Sequence, residues 1–263
     1  MGSLPKGVGT TALGVAMVRA TESAREDRLF DDPYARAFVD AAPGEFVTST
    51  NPEVAKALYS HVVVRTRFYD QHLLAATAAG CRQVVLLAAG LDTRAFRLPW
   101  PDGVRVFELD LAEVLEFKDS VLDAVPVCGR VVVPVDLLED WAPDLLAAGF
   151  DPAAPTAWLA EGLLIYLSAD EADQLLAVVS GLSAPAGSIA FERGGGTVRV
   201  TPAMAGYAAL WKGGFGEGGA DRLRAHGWLP RSHDLGSLAA DYGRPAAAGG
   251  GFLTAVRTSA GVG

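Results

Sequence analysis

The chain has 263 residues, half of them apolar, and 22 lysines and arginines against 31 aspartates and glutamates, a net charge of −9. That length buries one full core, and an acidic balance without a basic cluster argues against nucleic acid as a partner. Cys81 and Cys128 lack a C-x-x-C spacing and read as free thiols, and the absence of an 18-residue apolar run or signal-peptide core predicts a cytoplasmic protein without a membrane partner.

Residues 1–12 are small and Gly-rich and are expected to be mobile. A helical cap is expected over 13–82. It begins with a helix from Leu13 to Arg25 and continues through the turn Arg28–Arg36, where Asp32 caps a second helix and Pro33 takes its first position. A long amphipathic helix follows from Pro52 to Ala79. His61 and His72 share one of its faces, but no further ligand stands at metal spacing, so no metal is expected.

From Gln83 the pattern changes to short apolar runs alternating with helices. Strands are predicted at Val84–Ala88, Val104–Leu109, Val131–Val135, Thr156–Ala160 and Gly187–Glu192. Between them come helices at Leu111–Val121, Ala142–Ala148 and, opened by Ser168, Ala169–Leu182. Such alternation is the mark of an α/β fold with a mainly parallel sheet and helices on both faces. This ligand-binding domain is expected to span 83–263, with insertion loops over 194–250. Within them the glycine-rich stretches lack G-K-[ST], so neither is a P-loop. Helices at Asp221–His226 and Leu235–Tyr242 and a closing strand at Phe252–Arg257 complete the chain.

Four consecutive strands end at Gly90, Asp110, Asp136 and Glu161, spaced by 20, 26 and 25 residues. In a parallel sheet these positions share the carboxyl edge, where open α/β folds bind ligands. A strand, a glycine turn and an acid about 20 residues on is a nucleotide-binding arrangement. A dinucleotide wants G-x-G-x-x-G, yet Ala88 and Thr93 replace two of the three glycines around Gly90. Asp92 also stands where a pyrophosphate would meet a helix N-terminus, unless it merely caps that helix. Converging carboxylates suit a ligand with hydroxyls, an exocyclic amine and a cationic centre but no phosphate. S-adenosylmethionine has this chemistry: Asp110 would take the ribose, Asp136 the adenine amine, and Glu161 the methionine end or the acceptor. A nicotinamide oxidoreductase and a non-catalytic binding module are the competing readings.

The blocks Ala88-Ala89-Gly90-Leu91-Asp92-Thr93-Arg94, Phe107-Glu108-Leu109-Asp110 and Ala160-Glu161-Gly162-Leu163-Leu164-Ile165-Tyr166-Leu167 resemble the leucine carboxyl methyltransferase family, in its actinobacterial branch. Asp31–Ala35 and Val64–Asp70 match as well, so the resemblance covers about Leu13 to Phe191. It implies a class I, Rossmann-like methyltransferase using S-adenosyl-L-methionine. It also implies that Arg65 pairs with the cofactor's carboxylate, and that Ala88, Gly90, Asp110, Leu111, Asp136, Leu137 and Glu161 line its site. The family usually has G-A-G in the first turn, so the methyl of Ala88 is a departure that narrows the approach.

Arg65 reads equally well as a structural ion pair, Arg94 as an anion contact, and Tyr166 as packing or as an acceptor contact. A small-molecule carboxylate is the expected acceptor, because it needs no general base. A phenol would need one, with His226 or His233 as the candidates in the C-terminal part and His61 the one histidine near the cofactor edge. A peptide C-terminus is the third acceptor, and assembly of identical chains stays open.

Overall fold

The computed structural model describes residues 8–42, 52–193, 209–245 and 249–259. The loop Gly194–Gly196 and most of the expected 194–250 insertion before residue 209 lie outside them. Seven strands form one sheet: β1 Gln83–Leu87, β2 Arg105–Asp110, β3 Gly129–Pro134, β4 Thr156–Ala160, β5 Ser188–Arg193, β6 Trp228–Asp234 and β7 Gly251–Arg257. Their order is β3-β2-β1-β4-β5-β7-β6. The first five are parallel to their neighbours, whereas β7 runs antiparallel to both β5 and β6. The strand order reverses at β1, with β2 on one side and β4 on the other, the switch point at which open α/β sheets form a crevice at their carboxyl edge.

All of β1 and β4 is buried, as their unbroken apolar runs require of central strands covered on both faces. On one face pack α6 Ala142–Ala147, α7 Ala169–Gly181 and α8 Gly219–Ala225, around Trp141, Trp158, Phe107 and Phe191. The other face is covered by α3 Pro52–Ala78, α4 Arg94–Arg97 and α9 Leu235–Asp241, around Tyr69, Phe96 and Phe252. The start of α7 is locked by a reciprocal cap, Ser168 accepting from Glu171 N–H while Glu171 accepts from Ser168 N–H.

Strand β6 has no counterpart among the expected elements. Its sequence, WLPRSHD, carries a proline and alternates without a clear apolar face. Both features are tolerated because β6 is the sheet's outermost strand, where a missing N–H leaves no ladder bond unmade.

At the N-terminal side, α1 spans Val8–Ser23, starting five residues before the expected Leu13, and α2 spans Ala35–Ala41. Asp32 accepts from the N–H groups of Tyr34 and Ala35, so it does serve the start of α2. Of the segment 13–82, α3 belongs to the layer over the sheet. In contrast, α1 and α2 share a separate cluster with Leu91 and with Phe117 of α5 Ala112–Val121.

Candidate active site

The turn after β1 is tight, with Ala88 at φ +53° and Gly90 at φ +51°, both left-handed. Glycine enters that region freely, whereas a residue with a Cβ pays roughly 1–2 kcal/mol. Ala88 therefore holds a glycine's conformation at a cost. Above this turn lies α1: a Cβ built on Gly90 would sit 3.8 Å from the Cβ of Ala12.

Asp110 ends β2 and reaches back across the edge. Its Oδ2 accepts from Gly90 N–H at 2.6 Å and its Oδ1 from Leu111 N–H at 2.7 Å. A carboxylate has about four acceptor positions, so both oxygens keep capacity for hydroxyl donors. Burial raises the Asp110 pKa above its ordinary value, more than the two N–H groups lower it. Leu111, next in sequence, exposes 40% of its surface, an apolar face open to a flat ring.

Asp136 lies just past β3 and is exposed. One oxygen accepts from Leu138 N–H at 2.9 Å, an Asx turn that presents Leu137 beside it. The turn-capping role therefore occupies one oxygen of an exposed carboxylate at the carboxyl edge.

Glu161 follows β4 and is surrounded by guanidiniums. Arg19 of α1 lies at 2.9 Å, Arg65 of α3 at 3.0 Å and Arg94 of α4 at 2.7 Å. Burial alone would raise its pKa, but Arg94, Arg19 and Arg65 together hold it well below the usual carboxylate range. Arg65 Nε is close to Glu161 but out of line for a hydrogen bond, while its Nη1 donates to Glu192 at 3.0 Å. Gly162 holds a left-handed φ of +67° that favours glycine, and a Cβ there would only touch Arg65 Nη1, at 3.4 Å.

Arg94 is completely buried and pairs with Asp70, Asp92 and Glu161, and Asp70 is shared with Arg97. Asp92 also accepts from Arg94 N–H at 2.7 Å. This revises the expectation that Asp92 presents a repelling charge to a ligand, because its charge is spent on Arg94. Nor is Arg94 a free anion contact. Both are internal struts between the first turn, α3 and the end of β4.

Tyr166 sits half-buried on a single 3₁₀ turn, Leu164–Tyr166, directly after the Glu161–Gly162 bend. Ile165 O in that turn accepts from Lys212 N–H at 2.8 Å and Gly213 N–H at 3.1 Å, which ties the later loop to the site.

The four histidines divide by edge. His72 lies 3.5 Å from Ser188 at the start of β5, and His226 precedes β6, so both are at the amino edge. His233 is on β6 beyond β7, bonded to Thr254 Oγ1 at 2.9 Å and packed on Phe68. His61, on α3 one turn before Arg65, does approach the cluster. Burial, helped by Arg65, pushes its pKa down to about 4.

Two residues of this edge are absent from the sequence-based set. Arg19 has no motif signal, since only the folded chain brings α1 to β4. Glu192 had one: the apolar run of β5 stops at an acid, as those of β2 and β4 do.

The leucine carboxyl methyltransferase family model matches residues 12–180. The chain belongs to that family. A Frankia alni relative, provisionally named an S-adenosyl-L-methionine-dependent methyltransferase, is 51% identical over 97% of this chain and 96% of its own. A Parafrankia relative of the same provisional name is 48% identical over 95% of this chain and 87% of its own. A solved duf574 family protein from Streptomyces avermitilis shares the fold at TM-score 0.59 and 16% identity, over 92% of this chain and 96% of that one. A provisionally named methyltransferase structure from Thermobifida fusca gives 0.57 at 18% identity, over 93% and 94%. The α/β fold expected from the strand pattern, and the class I methyltransferase fold implied by the resemblance, are therefore the observed ones.

As a leucine carboxyl methyltransferase family member, the chain has donors and acceptors that fit S-adenosylmethionine. Asp110 retains acceptor positions beside the Gly90 turn, Leu111 and Leu137 offer apolar faces, and Arg65 and Arg19 border the end of β4. Among the described residues no cluster of metal-ligating side chains occurs and no helix is long and apolar enough to cross a membrane.

Proposed function

We propose that this S-adenosylmethionine-dependent methyltransferase methylates a carboxylate oxygen of a small molecule, giving a methyl ester. The cofactor supplies an electrophilic methyl on a sulfonium. In the transfer, a bond forms between the acceptor oxygen and the methyl carbon as the carbon–sulfur bond breaks, and no proton moves. The protein's work is then alignment and exclusion of water. Asp110 holds the ribose hydroxyls, Asp136 and Leu137 the adenine, and Arg65 with Arg19 the carboxylate of the methionine arm. Glu161 holds those two arginines in place, Ala88 and Gly90 form the close turn, and Tyr166 borders the acceptor. Helix α1 closes over the turn as the cap of a domain spanning 83–263, in a cytoplasmic enzyme.

The observation that carries the carboxylate is the disposition of the histidines. Two are at the wrong edge, His233 stands beyond β7, and His61 has a pKa far too low for an efficient base at neutral pH. A carboxylate is already ionised there and asks for none. The test is product mass spectrometry on pooled carboxylic acids, phenols and peptides with free C-termini. Methyl esters of small acids support the reading; methyl ethers or methylated peptides overturn it.

A further inference from the structure

Residues 212–214 dock on the turn that follows β4. Lys212 N–H donates to Ile165 O at 2.8 Å, Gly213 N–H to the same oxygen at 3.1 Å, and Gly214 N–H to Leu167 O at 2.8 Å. The Lys212 ammonium donates to both oxygens of Glu171, at 2.8 and 2.9 Å, and Glu171 is the glutamate that caps α7. Gly214 holds a left-handed φ of +54°, and a Cβ there would stand only 2.5 Å from Leu164 O, so glycine alone passes this close. Phe215 then packs its ring on Phe191 of β5, with centroids 6.1 Å apart. The segment is thus pinned along the ends of β4 and β5, and Trp211 is carried in with it beside the turn Leu164–Tyr166.

Of the five tryptophans, Trp141, Trp158 and Trp228 are buried on one face of the sheet, and Trp100 packs against the other. Among the described residues, Trp211 packs with none of the three apolar clusters. It is half-buried, as are Ile165 and Tyr166 in the turn it adjoins, and Leu210 before it exposes 38% of its surface. A scattered surface leucine needs no explanation, but an indole kept out of the core and fixed beside a candidate active site does. Charge does not supply one. Lys212, the cation next in sequence, is spent on Glu171, and Glu161 at the end of β4 is enclosed by Arg19, Arg65 and Arg94. Such a surface takes apolar area, and its two aromatic side chains favour a flat ring, because aromatic pairs attract beyond the burial alone.

We propose that Trp211, with Ile165 and Tyr166, receives the body of the methyl acceptor, and that this body is a flat aromatic ring system bearing the carboxylate. The proposal deepens the function given above and rests on it: the acid supplies the oxygen, and Trp211 holds the ring that presents it. Trp211 sets specificity and takes no part in the transfer itself.

The test is calorimetry on protein loaded with S-adenosylhomocysteine, using three acids. These are 2-naphthoate, decahydro-2-naphthoate, which has the same carbon skeleton without the flatness, and acetate, which has no ring. The parent is expected to bind 2-naphthoate about tenfold or more tighter than acetate, and about threefold or more tighter than the decahydro acid. Trp211→Leu keeps apolar bulk without a flat face. In it the preference for 2-naphthoate over the decahydro acid should vanish, with S-adenosylhomocysteine affinity within about twofold of the parent. A Trp211→Leu protein that keeps the parent's preference overturns the proposal, and so does a parent that binds the two ring acids alike. If Trp211→Leu gives no cooperative melt, Trp211→Phe takes its place, with a reduced preference expected. Should neither fold, the parent's own preference between the two ring acids decides. Failure of the carboxylate reading shows differently: 2-naphthoate binds through Trp211, yet the pooled incubation yields methyl ethers or methylated peptides in place of esters.

Discussion

Replacing Arg94 with methionine tests whether the buried charge network holds the first turn. The side chain is fully buried and reaches three carboxylates. Removing one partner of a buried ion pair costs about 3–5 kcal/mol, because the remaining charge is left uncompensated. The three losses do not simply add. Asp70 keeps Arg97 at 2.7 Å, and Glu161 keeps Arg19 and Arg65. Asp92 alone is stranded, since Arg94 is its ion-pair partner among the described residues. The expected cost of Arg94→Met is therefore about 3–5 kcal/mol in all, and adding Asp92→Asn should restore about half of it. Urea unfolding at pH 7 measures both. The pH dependence has a definite sign. Burial raises the pKa values of Asp70 and Glu161, but their arginines win and hold both below the ordinary 3.8 and 4.5. Lowered carboxylate pKa values stabilise the fold above those ordinary values, and the contribution is lost as pH falls through the depressed ones. The gap between parent and variant should accordingly narrow on acidification below about pH 4. A variant within about 1 kcal/mol of the parent at pH 7 would refute the account of Arg94 as a strut.

Asp110→Ala should weaken cofactor binding by about 1.5–3 kcal/mol by calorimetry, and unchanged affinity in a folded variant would remove Asp110 from the ribose site. Because burial raises the Asp110 pKa, the parent's affinity should be full above that raised value and decline as pH falls through it, at a higher pH than for an ordinary carboxylate. Ala88→Gly relieves a left-handed alanine at the expense of a freer unfolded chain, so a net gain of about 0.5–1 kcal/mol is expected in thermal or urea unfolding. A loss would mean that the methyl's packing outweighs its backbone strain. The single-turnover rate should be flat from about pH 6 to 9 and unaffected in this range by His226→Ala, whose side chain lies at the opposite edge. A rise near pH 6.5 that disappears in His61→Ala or His233→Ala would name a base and favour a phenol.

The fold class was legible in the sequence because its signals are local. Buried parallel strands are short apolar runs, and their crossovers are helices of regular length, so β1 to β5 and the acids that follow β2, β3 and β4 could be placed by counting. Asp110 belongs to this group: its position depends only on a strand, a turn and a fixed interval. Strand β6 escaped because its proline and mixed polarity are acceptable only at a sheet edge, and which strand is the edge is a property of the assembled sheet. Charge compensation is likewise non-local. In the sequence Asp92 reads as a charge that would repel a phosphate or as a helix cap, and Arg94 as an anion contact, because each carries a charge near the turn. Only folding brings Asp70 and Glu161 onto the same guanidinium and spends those charges internally. Arg19 and Glu161 lie 142 residues apart and meet at 2.9 Å. No spacing rule spans that distance, because the meeting is made by the packing of α1 across the sheet's carboxyl edge.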